Sequence, residues 1–115
     1  MVVGRDSESD DRMFRALADA TRRDIVRRTM TQEYSVSGLA RLYPMSFAAV
    51  QKHVAVLEEA GLVTKRPRGR EQLVTADVTA VRRARFLLDQ LEALWLERID
   101  RMGEILAQDE EGDAR

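Results

Sequence analysis

The sequence predicts a mainly helical α+β fold with the element order α-α-α-α-β-β-α. Three observations carry that expectation. Apolar residues recur at helical spacing through most of the chain, β-branched residues gather around a Gly turn near residues 62–75, and residues suited to helix ends stand at the joints. With 115 residues, 44% of them apolar, the chain is long enough for one core and too short for two ordinary domains. We expect a disordered N-terminal tail at 1–10, a single domain at 11–108 and an acidic C-terminal tail at 109–115.

The first helix is expected near Asp11–Ala18, with Met13, Phe14 and Leu17 on one side. Asp19 can cap a second helix through about Met30, its inward residues being Ile25 and Val26. Thr31 to Ser35 is a polar break, and Ser35 caps a short third helix from Val36 to about Leu42. Tyr43-Pro44-Met45 interrupts, because the residue before a proline avoids helical geometry. Ser46 caps a fourth helix over Phe47–Ala60, and Gly61 ends it where a left-handed residue is cheap. Leu62–Pro67, the turn Arg68-Gly69 and Glu71–Thr75 then read as a hairpin. Asp77 caps a final helix of some 30 residues, Val78 to about Gln108.

Composition removes several classes of function. The sequence has no Cys, which excludes disulfides, thiolate metal sites and cysteine nucleophiles. No apolar run approaches the roughly 20 residues of a membrane span, and the first residues do not resemble a signal peptide, so a soluble cytoplasmic protein without membrane association is expected. Net charge is only −1, but it is unevenly spread: −3 over residues 1–11, +7 over 12–70 and −5 over 71–115. A basic middle hidden by acidic ends is the mark of a local polyanion-binding face.

The third and fourth helices, joined by a short break and followed by a basic hairpin, have a clear physical use. A short helix can brace a longer one so that its N-terminal half enters a major groove, while the hairpin reaches the neighbouring backbone. In helical projection Val50, Val54 and Leu57 form the inward stripe. Ala48, Gln51, Lys52 and Ala55 then lie outward, with Ala49 beside them. The alanines allow close approach, Gln51 suits adenine, and Lys52 suits guanine or phosphate. Ser46 can cap the helix or donate to a phosphate, and the helix N-terminus favours an anion. Phe47 reads as a packing or groove-edge residue rather than a wedge between bases.

These segments resemble the ArsR family of bacterial winged helix-turn-helix repressors. The resemblance rests on Leu17-Ala-Asp-Ala-Thr-Arg-Arg-Asp-Ile25, on Val36-Ser-Gly-Leu-Ala40 and, most specifically, on the block from Val50 to Val63 with its Val-x-x-His-x-x-x-Leu-x-x-Ala-Gly-Leu-Val pattern. It implies a winged helix-turn-helix in a two-fold homodimer paired through the first and last helices, binding a partly palindromic double-stranded operator and repressing transcription. Ala20 stands where the family often has Pro, and Tyr43-Pro44 replaces a Gly-containing turn, which leaves open the angle between the third and fourth helices. Metal-sensing members use Cys pairs on the third helix or Asp, His and Glu sets on the last. Here the third helix has no thiol and the last no His, so no metal and no cofactor are expected.

The candidate DNA-binding set is therefore Ser46, Ala48, Ala49, Gln51, Lys52 and His53, with Arg66, Arg68 and Arg70 on the hairpin and Arg22 and Arg23 on the second helix. His53, the one histidine, also fits a half-buried structural role, and no nucleophile or paired carboxylate is placed to make it catalytic. Arg22 and Arg23 fit either phosphate contact or plain solvation. Four basic residues from Lys65 to Arg70, with no acid among them, point to phosphate or minor-groove contact.

On the last helix Leu87, Leu91, Leu94, Trp95, Met102 and Leu106 recur at helical spacing, with Phe86, Leu88, Ile99 and Ile105 widening the stripe. That exceeds what one small core covers, and with Met13, Phe14 and Leu17 it makes the expected dimer interface. The alternative to a repressor is a protein–protein adaptor that uses the long helix and binds DNA weakly and without sequence preference. An enzyme finds no support in the motifs.

Overall fold

The computed structural model describes residues 5–113, with side chains from 7 to 109. Five helices and three strands follow in the order α1 (Arg5–Leu17), α2 (Ala20–Thr31), β1 (Tyr34–Ser35), α3 (Val36–Ala40), α4 (Phe47–Glu59), β2 (Val63–Arg68), β3 (Glu71–Ala76) and α5 (Val78–Asp113). The chain divides into two compact units, Met1–Ala84 and Arg85–Arg115.

Local chemistry sets the joints of the first unit. The Asp19 carboxylate accepts from the Arg22 backbone N–H at 3.0 Å, and this bond holds its pKa below the ordinary carboxylate value. Ser35 and Ser46 accept from the N–H groups of Gly38 and Ala49 at 3.0 and 3.1 Å, opening α3 and α4. After α4, Gly61 takes φ 75°, and Gly69 takes φ 62° at the hairpin turn; both lie in the left-handed region where a side chain is costly.

Fifteen buried apolar residues form one core drawn from α1 to α4, all three strands' neighbourhood and the first turns of α5. Met13, Ile25, Leu39, Val50, Val54, Leu57, Leu62, Val63 and Val74 are its largest fully enclosed side chains. Burial of this kind contributes about 1.5–3 kcal/mol for each large aliphatic residue. The strands form one antiparallel sheet in the order β1-β3-β2. Val63 pairs with Ala76 and Arg68 with Glu71, so the hairpin is closed down to a two-residue turn at Gly69-Arg70.

Three elements differ from the sequence expectation. Residues 5–10, assigned to a disordered tail, are already helical in α1, and residues 1–4 lie outside the described residues. Asp10 of this helix meets Arg83 at 3.1 Å. At the other end α5 runs on to Asp113 through most of the expected acidic tail. Tyr34-Ser35, read as a polar break, is a short strand paired with Val74 and Leu73 of β3.

Met13 is corrected as well. It is 0% exposed within the single chain, because α1 packs its Met13 and Ala16 side into the core; it has no surface to offer a partner. Leu17 is half-buried against the same core, and Phe14 remains exposed.

The second unit is the remainder of α5. Leu87 is half-buried there, while Leu91, Leu94, Trp95, Met102 and Leu106 are all exposed, as are Phe86, Leu88, Ile99 and Ile105. Trp95 is 56% exposed, with the Arg98 guanidinium 5.7 Å from its ring centre.

Candidate nucleic-acid interface

The side of α4 that faces away from the core carries the residues suited to reading DNA. Val50, Val54 and Leu57 are buried, whereas Ser46, Ala48, Gln51, Lys52 and Ala55 are exposed and Ala49 is half-buried. The 3.6-residue period produces this split, since steps of four and three keep the apolar residues on one stripe. Ser46 uses an oxygen lone pair to cap α4, which leaves its hydroxyl hydrogen available to a phosphate oxygen.

Beside this helix lies the hairpin, which forms the wing. A groove of about 290 Å³ runs between them, lined by Val36 and Ser37 of α3, Phe47, Gln51 and Val54 of α4, and Lys65, Arg70, Glu71 and Gln72 of the wing. Gln51 and Arg70 are thus brought to one groove from elements about 20 residues apart in sequence. Ser37, Glu71 and Gln72 were not among the sequence candidates.

The basic cluster of the wing is not uncompensated. Lys65 Nζ is 3.5 Å from Glu58 on α4, and Arg66 donates to Glu33 at 2.8 Å. Both acids lie outside the run Lys65–Arg70, Glu33 by a separation of 33 residues, so the run hides its own neutralisation. Arg68 and Arg70 are exposed and have no ion-pair partner among the described residues. The free positive charge therefore sits at the wing tip and the groove edge.

Arg22 is half-buried and placed differently from either sequence reading, while Arg23 stays exposed with one bond to the fold. Arg22 Nε donates to the Ala16 carbonyl at 2.7 Å and Nη2 to the Arg15 carbonyl at 3.1 Å. Its Nη1 lies 3.4 Å from His53 Nδ1, and because a guanidinium only donates, that nitrogen is the acceptor. Arg23 donates to the Leu17 carbonyl at 2.8 Å. Together they satisfy the open carbonyls at the end of α1, which a helix C-terminus requires. Arg22 and half-buried His53 tie α1 and α2 to α4 and belong to the support of the reading helix.

A second support anchors the turn between α3 and α4. Tyr43 donates its hydroxyl to Asp24 Oδ2 at 2.6 Å, and the same carboxylate takes Arg28 at 2.8 Å and pairs with Arg27. Arg28 also lies 5.9 Å from the centre of the Tyr43 ring. Desolvation first, then the bond to Asp24, pushes the Tyr43 hydroxyl pKa up to about 12. The bond from Tyr43, followed by those from Arg28 and Arg27, holds the Asp24 carboxyl well below its usual range. The Tyr43-Pro44 turn is thereby fixed to α2, so a Gly is not needed to shape it.

The sequence matches the family model described as bacterial regulatory protein, arsR family, over residues 19–65. It is also 38% identical over 105 residues to the HTH-type transcriptional regulator Rv2034 of Mycobacterium tuberculosis, covering 91% of this chain and 94% of that protein. The chain belongs to the arsR family.

Solved structures agree with that placement. An ArsR-like transcriptional regulator from Rhodococcus sp. RHA1 is 30% identical with a TM-score of 0.75, covering 85% of this chain and 92% of its own. The homodimeric winged helix-turn-helix DNA-binding domain of Mb0332 from Mycobacterium bovis, described as a possible ArsR-family regulator, is 25% identical with a TM-score of 0.61, covering 75% and 79%. This arsR-family chain is accordingly a transcriptional regulator with a winged helix-turn-helix DNA-binding fold. Among its described residues no helix is long and apolar enough to cross a membrane.

Proposed function

We propose that this arsR-family regulator is a cytoplasmic homodimeric repressor that reads a partly palindromic double-stranded operator and has no catalytic role. Ser46, Ala48, Ala49, Gln51 and Lys52 meet the major groove, and Arg68 and Arg70 hold the wing on the backbone. The single observation carrying this is the sorting of α4, with Gln51 and Lys52 open to solvent above a buried Val50–Val54–Leu57 stripe. Arg66 contributes less, being paired to Glu33; Arg22 and His53 act by holding α4 in place, and Arg23 binds the end of α1.

The dimer reading is supported by the exposed apolar residues Leu91, Leu94, Trp95, Met102 and Leu106 of α5 and by exposed Phe14 of α1. A homodimer in the Mycobacterium bovis neighbour supports it too. A two-fold pair places half-sites about one helical turn, or a multiple of it, apart. The family's known metal sites need thiol or imidazole donors, and the sequence holds no Cys and one His, so the repressor does not respond to metal through them. Adding zinc or arsenite is expected to leave operator affinity unchanged.

Mobility shift tests the reading, using the full chain, duplex DNA from upstream of its own coding sequence and random competitor across a salt series. The expected result is a retained, salt-sensitive preference for the upstream duplex. Equal binding to both duplexes would favour a protein–protein adaptor, a reading for which the pairing of Lys65 and Arg66 to acids speaks.

A further inference from the structure

Phe47 is the first residue of α4, and its side chain is 48% exposed. Covering a phenylalanine is favourable, and the fold leaves this one at the rim of the groove instead. It stands one helical turn before Gln51, so the two share a face, and both line the groove that Lys65 and Arg70 close from the wing. Next to it Ala48 is exposed and small, which keeps the approach to that face open.

The major-groove edge of DNA offers one prominent apolar feature, the C5-methyl group of thymine, and an aromatic or alkyl side chain is the group that fits it. Gln51, the neighbour on the same face, has the paired donor and acceptor that match adenine. An apolar group and an amide set one turn apart therefore ask for two neighbouring A·T pairs.

Resting on the DNA-reading function proposed above, we infer that Phe47 is a specificity-determining residue that contacts a thymine methyl group beside the adenine taken by Gln51. The contact is apolar and lies in the major groove, and it adds preference without adding salt dependence.

Uracil substitution tests this with the full-length protein. A duplex enriched from a randomised library is remade with uracil for thymine at each position in turn, which removes one methyl group and leaves the pairing edge intact. Wild type is expected to lose about fourfold in affinity at one position per half-site, the value of one buried methyl-sized group. Phe47→Ala is expected to bind the thymine and uracil duplexes alike, and Phe47→Leu to show a reduced but measurable difference. Gln51→Ala retains the methyl effect while losing preference at the adjacent pair.

The inference is overturned if no position responds to uracil, if the half-site holds no thymine, or if both Phe47 variants keep the wild-type penalty. A library that yields no preferred sequence overturns the DNA-reading proposal itself and this one with it. Thermal unfolding of the variants reports whether the fold is kept. If Phe47→Ala unfolds, the smaller penalty expected for Phe47→Leu decides the matter.

Discussion

Two pairs of arginines look alike in the sequence and do opposite things in the structure. Arg22 and Arg23 open α2, and Arg68 and Arg70 flank Gly69 at the wing tip; each pair is close-set and followed directly by one acid, Asp24 or Glu71. In the first pair Arg22 donates to the carbonyls of Arg15 and Ala16 with His53 as a further partner, and exposed Arg23 gives one bond to the Leu17 carbonyl. The second pair has no ion-pair partner among the described residues and stands in solvent. Formal charge is the same, yet Arg22 is engaged through all three of its guanidinium nitrogens, whereas the second pair is open to exchange water and counterions for phosphate. A basic residue counts toward polyanion binding when its N–H groups are unspent, and sequence gives the charge but not the spending.

The largest effect that would sharpen this contrast is on stability. Arg22→Ala removes charge-assisted bonds from part-buried carbonyls, at about 1.5–3 kcal/mol by the usual magnitude for hydrogen bonds to charged groups. Chemical denaturation is expected to report that loss, while the dependence of DNA affinity on salt stays as in wild type. A wild-type denaturation midpoint in Arg22→Ala would break the comparison from its structural side.

Arg68→Ala inverts the pattern. Its unfolding is expected to match wild type, and the slope of log affinity against log salt should fall by about one, for every duplex alike. A smaller effect distinguishes Arg66, since Glu33 already neutralises it. Arg66→Ala should change the salt slope less than Arg68→Ala, and Glu33→Gln should raise affinity for random DNA slightly. Equal slopes for the two arginine variants would mean that the ion pair opens on DNA at no cost.

The smallest effect is a pH dependence at the turn before α4. The Tyr43 hydroxyl is pushed up to about 12 in the folded chain, so the unfolded chain, near the ordinary value of 10, loses that proton first as pH rises. The contribution is whole below pH 10 and is lost as pH rises through about 12. Asp24 behaves oppositely, adding stability above the ordinary carboxylate value that is lost as pH falls. Tyr43→Phe should remove the alkaline part of the pH–stability profile, and an unchanged profile would contradict the Tyr43–Asp24 contact.

Much of the fold was legible because its punctuation is local. Asp19, Ser35 and Ser46 cap the helices they were expected to cap, and Gly61 and Gly69 take the left-handed conformations their positions require. The inward stripe of α4 followed from its period alone. What was missed depends on partners far along the chain. The strand at Tyr34-Ser35 exists only through pairing with Leu73 and Val74, and two residues carry no period to detect. The partners of Lys65 and Arg66 lie at Glu58 and Glu33, so a reading of the run Lys65–Arg70 by itself finds no acid. Met13 shares a helix face with Phe14 and Leu17, and only packing decides that it alone is fully enclosed. The arginines after α1 carried a usable hint, since long side chains a few positions beyond a helix end can reach back to its carbonyls.

The outward side of α4 as the reading surface is tested most directly by a single-base substitution scan of the preferred duplex, measured with wild type and with Gln51→Ala. The account expects Gln51→Ala to lose about 1–3 kcal/mol of discrimination at one position in each half-site and to keep the wild-type profile elsewhere. A profile that is flattened at every position, or unchanged at all of them, would contradict it.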